Sequence, residues 1–377
     1  MSLGKTFTND LRGDTAIWLI AIVLAIVSIL AVYSSTGSMA FKVKGGNTEF
    51  FLLKHMVIIG ISFSIMYLMY KIPYENFKKW APFCLMLSIP MLVYTLFQGA
   101  NINEARRWIA VPFIDLTFQT SDFAKIALIT HVASVIGSKQ EYINSLKGAL
   151  VPIIVPILVI CLLIAMADLS TAIILFLTCF IMMFVGRVNW KYLGLLILFG
   201  FVVFSFLIVL GQFMPDIVRL ETWTSRMTEF VTNSDGGYQV QQSKIAIASG
   251  EWIGVGPGNS TQRNFLPSPF ADFIYAIITE EYGLVGAFIM ILMFVWLMLR
   301  TTALVTKSEK AFGAMLAVGF TVILTLQAFI NIAVSVHLVP VTGVTMPLVS
   351  MGGTSFIFAS MMIGIILSVS RHIEMLK

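Results

Sequence analysis

The sequence predicts an all-α polytopic membrane protein of about ten transmembrane helices, with both termini on the cytoplasmic side and one large outward loop between the seventh and eighth helices. Three observations predict it. Of the 377 residues, 58% are hydrophobic and only 11% charged, far from the balance of a soluble domain. Ten apolar runs approach or exceed the ~20 residues needed to span a bilayer. Finally, 14 of the 24 Lys and Arg residues fall on alternate, inner segments, from Lys5 and Arg12 to Arg371 and Lys377, whereas the short outer loops hold only Lys42, Lys44, Arg106 and Arg107, the positive-inside asymmetry. The formal charge of +5 is therefore a matter of topology rather than of a basic tract for nucleic acid.

Taken in order, the first run covers about 16–34. It has full spanning length and ends on no clean small-residue cleavage site, so it is expected to be a retained helix rather than a signal peptide. Further runs follow at about 50–70, 81–98, 121–138, 148–166, 170–186 and 192–213, with the break between the fifth and sixth the weakest. Residues 214–271 form the long outer loop, and runs at about 272–299, 311–336 and 353–370 complete the set. Cys84, Cys161 and Cys179 all fall inside runs and are read as small apolar packers. No internal repeat divides the chain, which reads as a single membrane-embedded unit over 1–377. Between the last two helices, 337–352 is nearly uncharged yet punctuated by Pro340, Gly343, Pro347 and Gly352, with Gly353 following. Such a segment cannot continue a helix, and irregular backbone at membrane depth must be buried in protein or line a wet cavity.

Few ionisable residues lie within the runs, so each is informative. Lys125, in QTSDFAKIALI, either neutralises Asp122 one turn before it or presents a cation to an anionic lipid headgroup. Arg106, Arg107 and Trp108, on an outer loop, suit an interfacial phosphate or pyrophosphate, or else snorkel. Lys54, His55 and His131 are read as packing or snorkelling residues. In the long loop, Gln239, Gln241, Gln242 and Gln262 offer the amide donors and acceptors that suit sugar hydroxyls. GVGPG lacks the strand and lysine of a nucleotide loop, and neither a zinc-type His/Cys spacing nor a GxSxG elbow occurs.

LPSPFADFIYAIITEEYGLVG (266–286) concentrates the remaining carboxylates. Asp272, at the start of the eighth helix, is placed either to cap backbone N–H groups or to act as a general base above an apolar cavity. Glu280 and Glu281 lie eight and nine residues on, about 12–14 Å deeper, too far in to be caps. They are expected to hold the helix among its neighbours or to shape the cavity.

Seven stretches together resemble one family: ARRWI (105–109), QTSDFAK (119–125), DLSTA (168–172), GYQVQQS (237–243), GVGPGNSTQ (254–262), LPSPFADFIYAIITEEYG (266–283) and NIAVSVHLVPVTGVTMPLVSMGGTS (331–355). They make the chain similar to the SEDS (shape, elongation, division and sporulation) proteins, polytopic glycosyltransferases of bacterial cell-wall synthesis. The resemblance implies ten transmembrane helices in the inner membrane with a large periplasmic loop between helices 7 and 8. It implies polymerisation of lipid II, a disaccharide-pentapeptide on undecaprenyl pyrophosphate, with Asp272 as the base that activates the acceptor 4-hydroxyl for inverting attack. Arg107, Lys125, Arg226 or a divalent cation (Mg or Mn) would stabilise the departing pyrophosphate. By the same resemblance Ser350 joins the substrate-binding set, and Asp168, Asn331 and the Pro and Gly residues of 337–353 shape the cavity. A class B penicillin-binding protein and, for a division-type member, other divisome proteins are the implied partners. The PVTGVTMPLVSMGGTS ending and extended loop favour the division type over the elongation type. The competing readings are a lipid II flippase centred on Glu280, Glu281 and Lys125, and a scaffolding protein.

The chain departs from the family pattern at four points: Phe270-Ala271 in place of His-Thr, Met166-Ala167 in place of Gln-Pro, Thr120 in place of proline, and Glu104 in place of glycine. No histidine is therefore available just ahead of Asp272 to tune it.

Overall fold

The computed structural model describes residues 13–37, 48–102, 105–111, 116–139, 145, 150–215, 217–233 and 235–375. Lys5, Arg12, Lys42, Lys44, Glu104 and Lys377 lie outside the described residues, as does the side chain of Arg106. Each of the ten apolar runs forms a helix: α1 (Thr15–Ser35), α2 (Thr48–Lys71), α3 (Tyr74–Gln98), α4 (Thr120–Ser138), α5 (Val151–Ala167), α6 (Leu169–Val185), α7 (Trp190–Phe213), α10 (Ile274–Val305), α11 (Ala311–Ser335) and α12 (Thr354–Met375). Seven of them are long and apolar enough to cross a membrane by length and composition, and α5 and α6 are shorter apolar helices. The remaining helix, α4, carries Asp122, Lys125 and His131 and is buried along most of its length, so its neighbours rather than lipid solvate its polar groups.

The weak break between the fifth and sixth runs falls at Asp168. Its extended backbone (φ −150°, ψ 88°) ends α5, and its carboxylate caps α6 by accepting from the Thr171 N–H, which satisfies one of the orphan donors of a helix start. α3 begins seven residues before its predicted start, because Glu75, Lys78 and Lys79 sit on a first turn outside the apolar stretch. The two chain ends meet at one end of the bundle. The Asp14 N–H donates to Ser370 Oγ (2.8 Å), the Gly13 N–H donates to Glu374, and Arg300 grips Asp14 through Nε and Nη2 at 3.0 and 2.7 Å.

Two connecting segments are more ordered than their polarity predicts. The connection between α3 and α4 is an antiparallel sheet, β1 (Ala100–Ile102), β2 (Ala105–Val111) and β3 (Leu116–Gln119), in the order β1-β2-β3. The long loop contains α8 (Leu220–Thr232), which buries none of its residues fully, and α9 (Tyr238–Ser249). α9 is tied to the bundle where Ser243 Oγ donates to the Ser335 carbonyl at the end of α11 (2.8 Å).

α10 is broken at Gly283, whose φ of 67° and ψ of −169° are not helical. Residues 251–256 fill the gap. Val255 and Gly256 donate their N–H groups to the Glu280 and Glu281 carbonyls, and Leu284 and Val285 donate theirs to the Glu251 and Trp252 carbonyls. The helix hydrogen bonds lost at the break are thus replaced, as backbone at membrane depth requires. A side chain at Gly283 would meet the Trp252 backbone. The break forces Glu280 and Glu281 toward the loop: Glu280 accepts from Ser260 Oγ, from Thr261 N–H (3.0 Å) and Oγ1 (2.9 Å), and from the Gln262 N–H (3.3 Å). Glu281 accepts from Ser34 Oγ on α1.

Candidate active site

A cavity of about 620 Å³ opens at the end of the bundle away from the chain termini, where α4 and α10 begin and α11 ends. Its polar lining comes from β2 and β3 (Arg107, Trp108, Thr117, Gln119), α4 (Asp122, Lys125), the start of α6 (Asp168, Thr171), α8 (Arg226), α11 (Gln327) and the turn at 264–272 carrying Asp272. The segment 342–353 supplies Gly343, Gly352 and Gly353. Proline and glycine there let bare backbone line a wet cavity, which is how such segments survive at depth.

Each cation is held differently. Arg107 donates from Nε to the Ala167 carbonyl (3.1 Å) and from Nη1 to Asp168 Oδ2 (2.7 Å), so the residue that ends α5 and caps α6 also fixes this guanidinium. Asp168 in addition accepts from Thr171 Oγ1 (2.7 Å). Lys125 Nζ lies 2.6 Å from Asp122 Oδ1, the pairing foreseen at a spacing of three, and both side chains are buried. Asp122 Oδ2 is buried with no hydrogen-bond partner. Arg226 reaches in from α8, where burial and the neighbouring Arg107 push its guanidinium down against the pull of Asp168, Asp272 and Glu229.

Asp272 is half-buried and is not a helix cap. The N-cap of α10 is Phe273, which makes no side-chain capping bond. Burial raises the Asp272 carboxyl above the usual carboxylate range, with Arg226 and Arg107 opposing and Asp168 adding to the rise. Of the two placements the sequence offered, a helix cap or a base above an apolar cavity, the carboxylate takes a place in the cavity lining, because the turn before α10 is bonded to Ser350 and Met351 of the 342–353 segment. Gly343, at φ +71°, leaves open space beside it: a Cβ there would sit 3.8 Å from Asp272 Oδ2 and 4.0 Å from Arg226 Nη2. A carboxylate whose ionised form is disfavoured by burial, in the same cavity lining as a guanidinium, is equipped to take a proton while the guanidinium holds an anion.

Of the remaining candidates, Gln239 and Gln242 sit half-buried on α9, away from the cavity lining. Gln262 does not line the cavity, and its Oε1 is buried without a partner. Ser350 Oγ donates to the Ala271 carbonyl (2.7 Å) and accepts from the Met346 N–H (2.9 Å), and Asn331 Nδ2 donates to the Asp272 and Val344 carbonyls (2.8 Å each). Both bind backbone rather than the open space. Pro340 is half-buried and Pro347 buried outside the lining, while Glu280 is held by Ser260 and Thr261 and Glu281 by Ser34 on α1. Gln327 on α11 and Asn264 line the cavity without having been singled out. A lone amide inside an apolar run is the signal that marks Gln327.

The lining does not make a cage for a divalent cation. Among the described residues no three His, Cys, Asp or Glu side chains gather at one place, and Asp122 and Asp168 are each already engaged by a cation.

Residues 14–375 match the family model described as cell cycle protein (FtsW, RodA, SpoVE). The chain is 30% identical over 372 residues to stage V sporulation protein E of Bacillus subtilis, covering 97% of this chain and 99% of that protein. It is 32% identical over 361 residues to the probable peptidoglycan glycosyltransferase FtsW of Halomonas elongata (93% and 89% covered), and 31% identical over 379 residues to the peptidoglycan glycosyltransferase MrdB of Escherichia coli K12 (99% and 97% covered). Its fold is that of a chain in a solved peptidoglycan synthase complex (TM-score 0.72, 20% identity, 96% of this chain and 98% of that one). The rod shape determining protein RodA of Thermus thermophilus shares it as well (TM-score 0.65, 21% identity, 96% and 98%). Matched by the family model over nearly its whole length and by curated relatives at 30% identity or more, the chain belongs to the FtsW/RodA/SpoVE family of cell cycle proteins.

Proposed function

We propose that the cavity is the active site of a peptidoglycan glycosyltransferase that polymerises lipid II, with Asp272 as the general base. The observation that carries this reading is that Asp272 Oδ2 and Arg226 Nη2 both lie within 4.0 Å of the point where a side chain at Gly343 would begin, in the lining of one cavity. An acceptor sugar hydroxyl entering the cavity gives its proton to Asp272 as its oxygen attacks the anomeric carbon of the donor. The bond from that carbon to the pyrophosphate oxygen breaks with inversion, and the pyrophosphate leaves with the electron pair. Arg226, Arg107 and Lys125 supply the positive field for the departing charge, and the base contributes roughly 10² to 10⁴ in rate. A flippase centred on Glu280, Glu281 and Lys125 draws less support, since Glu280 is held by Ser260 and Thr261, Glu281 by Ser34 on α1, and neither carboxylate lines the cavity.

On this reading the chain lies in the bacterial inner membrane with both termini in the cytoplasm and the cavity facing the periplasm. The loop ending PVTGVTMPLVSMGGTS favours septal synthesis, alongside a class B penicillin-binding protein and other divisome proteins. The test is polymerisation of labelled lipid II by the full chain with its transpeptidase partner. Asp272→Asn is expected to fold normally and to lose at least a hundredfold in turnover. Glycan chains made at the wild-type rate by that variant would sink the assignment. Septal against elongation duty is read by which depletion strain, division or elongation, the chain rescues.

A further inference from the structure

Three consecutive carbonyls immediately ahead of α10 accept hydrogen bonds from outside the helix. Phe270 O accepts from the Met351 N–H (2.9 Å), Ala271 O from Ser350 Oγ (2.7 Å), and Asp272 O from Asn331 Nδ2 (2.8 Å). The helical ladder starts only at the next residue, where Ala276 and Ile277 donate to Phe273 O. Had Asp272 O been free, the Ala276 N–H was its natural i+4 partner, and the helix would extend upward with Asp272 in its first turn. The same Asn331 amide group also donates to Val344 O (2.8 Å), next to Gly343. One buried side chain on α11 therefore ties the turn that carries the carboxylate to the irregular segment that carries Gly343. Asn331 has no alternative orientation of equal merit, because turning its amide would set Oδ1 against two carbonyl oxygens; Oδ1 remains buried and without a partner. An orphaned buried acceptor is costly, and the outlay makes sense where a fixed geometry is the product.

We propose that Asn331 and Ser350 are positioning residues that hold Asp272 out of α10 and register its carboxylate against Gly343. The role rests on the reading of Asp272 as the base. It also reassigns Ser350, whose hydroxyl uses its donor on Ala271 O and accepts from the Met346 N–H, from binding substrate to holding backbone.

The test compares Ser350→Ala, Ser350→Thr, Asn331→Leu and Asp272→Asn in lipid II polymerisation, at equal amounts of folded, monodisperse full-length protein with its partner. Losing one clamp bond is expected to lower kcat about tenfold in Ser350→Ala, and losing two about a hundredfold in Asn331→Leu, with KM within twofold. Ser350→Thr, which keeps the hydroxyl, is expected to recover most of the rate. The pH profile separates positioning from mere structural support. A carboxylate released toward water is less desolvated and farther from its present neighbours Arg226, Arg107 and Asp168, so the acid limb should move in both clamp variants. Wild-type kcat in Ser350→Ala and Asn331→Leu overturns the inference, and so does a loss with unmoved pH profile and no rescue by threonine. If Asn331→Leu folds poorly, the two Ser350 variants decide alone. Wild-type turnover by Asp272→Asn would instead remove the general base itself, a failure distinct from that of the clamp.

Discussion

Replacing Gly343 by alanine separates the cost of a backbone conformation from the cost of an obstructed gap. At φ +71° the added methyl has only Asp272 Oδ2 at 3.8 Å and Arg226 Nη2 at 4.0 Å within reach. Both are ordinary van der Waals distances, so the folded protein is not overpacked. The folding penalty is then the left-handed conformation of a residue with a Cβ, about 1–2 kcal/mol. The methyl nevertheless occupies the space through which a hydroxyl must approach the carboxylate. Displacing reacting groups by about 1 Å is enough to lose ~10² in rate, so Gly343→Ala is expected to lower lipid II turnover at least a hundredfold. Gly258→Ala is the matched control: Gly258 has φ +80° with nothing within 4 Å of its Cβ position and lies outside the cavity lining. Both variants should lose similar thermal stability, read by the unfolding of detergent-solubilised protein, and only Gly343→Ala should lose turnover. Equal activity losses in the two, or wild-type turnover by Gly343→Ala, would refute the placement of the reacting atoms.

Three further outcomes follow from the same geometry. The base works only when deprotonated, and burial raises the Asp272 carboxyl; turnover should therefore fall with decreasing pH at a point above the ordinary aspartate value of ~3.9. Arg226 opposes that rise, so Arg226→Ala should move the acid limb to still higher pH, and a limb that moved down would contradict the pairing. Glu280→Gln should leave turnover within a few-fold but loosen residues 256–264, since an amide presents one acceptor oxygen where the carboxylate now accepts through two; limited proteolysis and hydrogen exchange of that loop read it. Asp168→Ala removes both the cap of α6 and the partner of Arg107, leaving a part-buried guanidinium unpaired, and should cost on the order of 3 kcal/mol of stability; Asp168→Asn, which can still cap, should recover a measurable share in the same melt.

The ten helices were legible because each is apolar along most of its length, whether it is a candidate span or, like α4, is enclosed by its neighbours, and that composition is written residue by residue. The outer sheet was not. Its strands are three, seven and four residues long, too short for a period-two pattern to stand out, and it is anchored by Arg107 to Ala167 and Asp168, sixty residues away in the chain. α8 escaped for the opposite reason: LETWTSRMTEFVT buries no residue fully, so a search for apolar runs passes over it, although Arg226 enters the cavity from it. Gln239 and Gln242 have the right chemistry for sugars, but the packing of α9 turns them away from the cavity.

What the sequence determined by itself is whatever depends on local composition: the apolar runs, the irregular 337–352 segment, and the presence of a carboxylate where α10 begins; it left Lys125 open between Asp122 and a lipid headgroup, and the fold pairs it with Asp122. Tertiary structure decided what each charge does. Glu280 is held by residues 260–262, just beyond the 251–256 stretch that completes the hydrogen bonds of a helix broken at Gly283, and Glu281 is held by Ser34 on α1. Asp272 stands as a half-buried group rather than a solvated cap because donors from Asn331, Ser350 and Met351, 59 to 81 residues further along the chain, take the carbonyls that would otherwise have started the helix. Those partners are distant in sequence and adjacent only after folding, so no local pattern announces them.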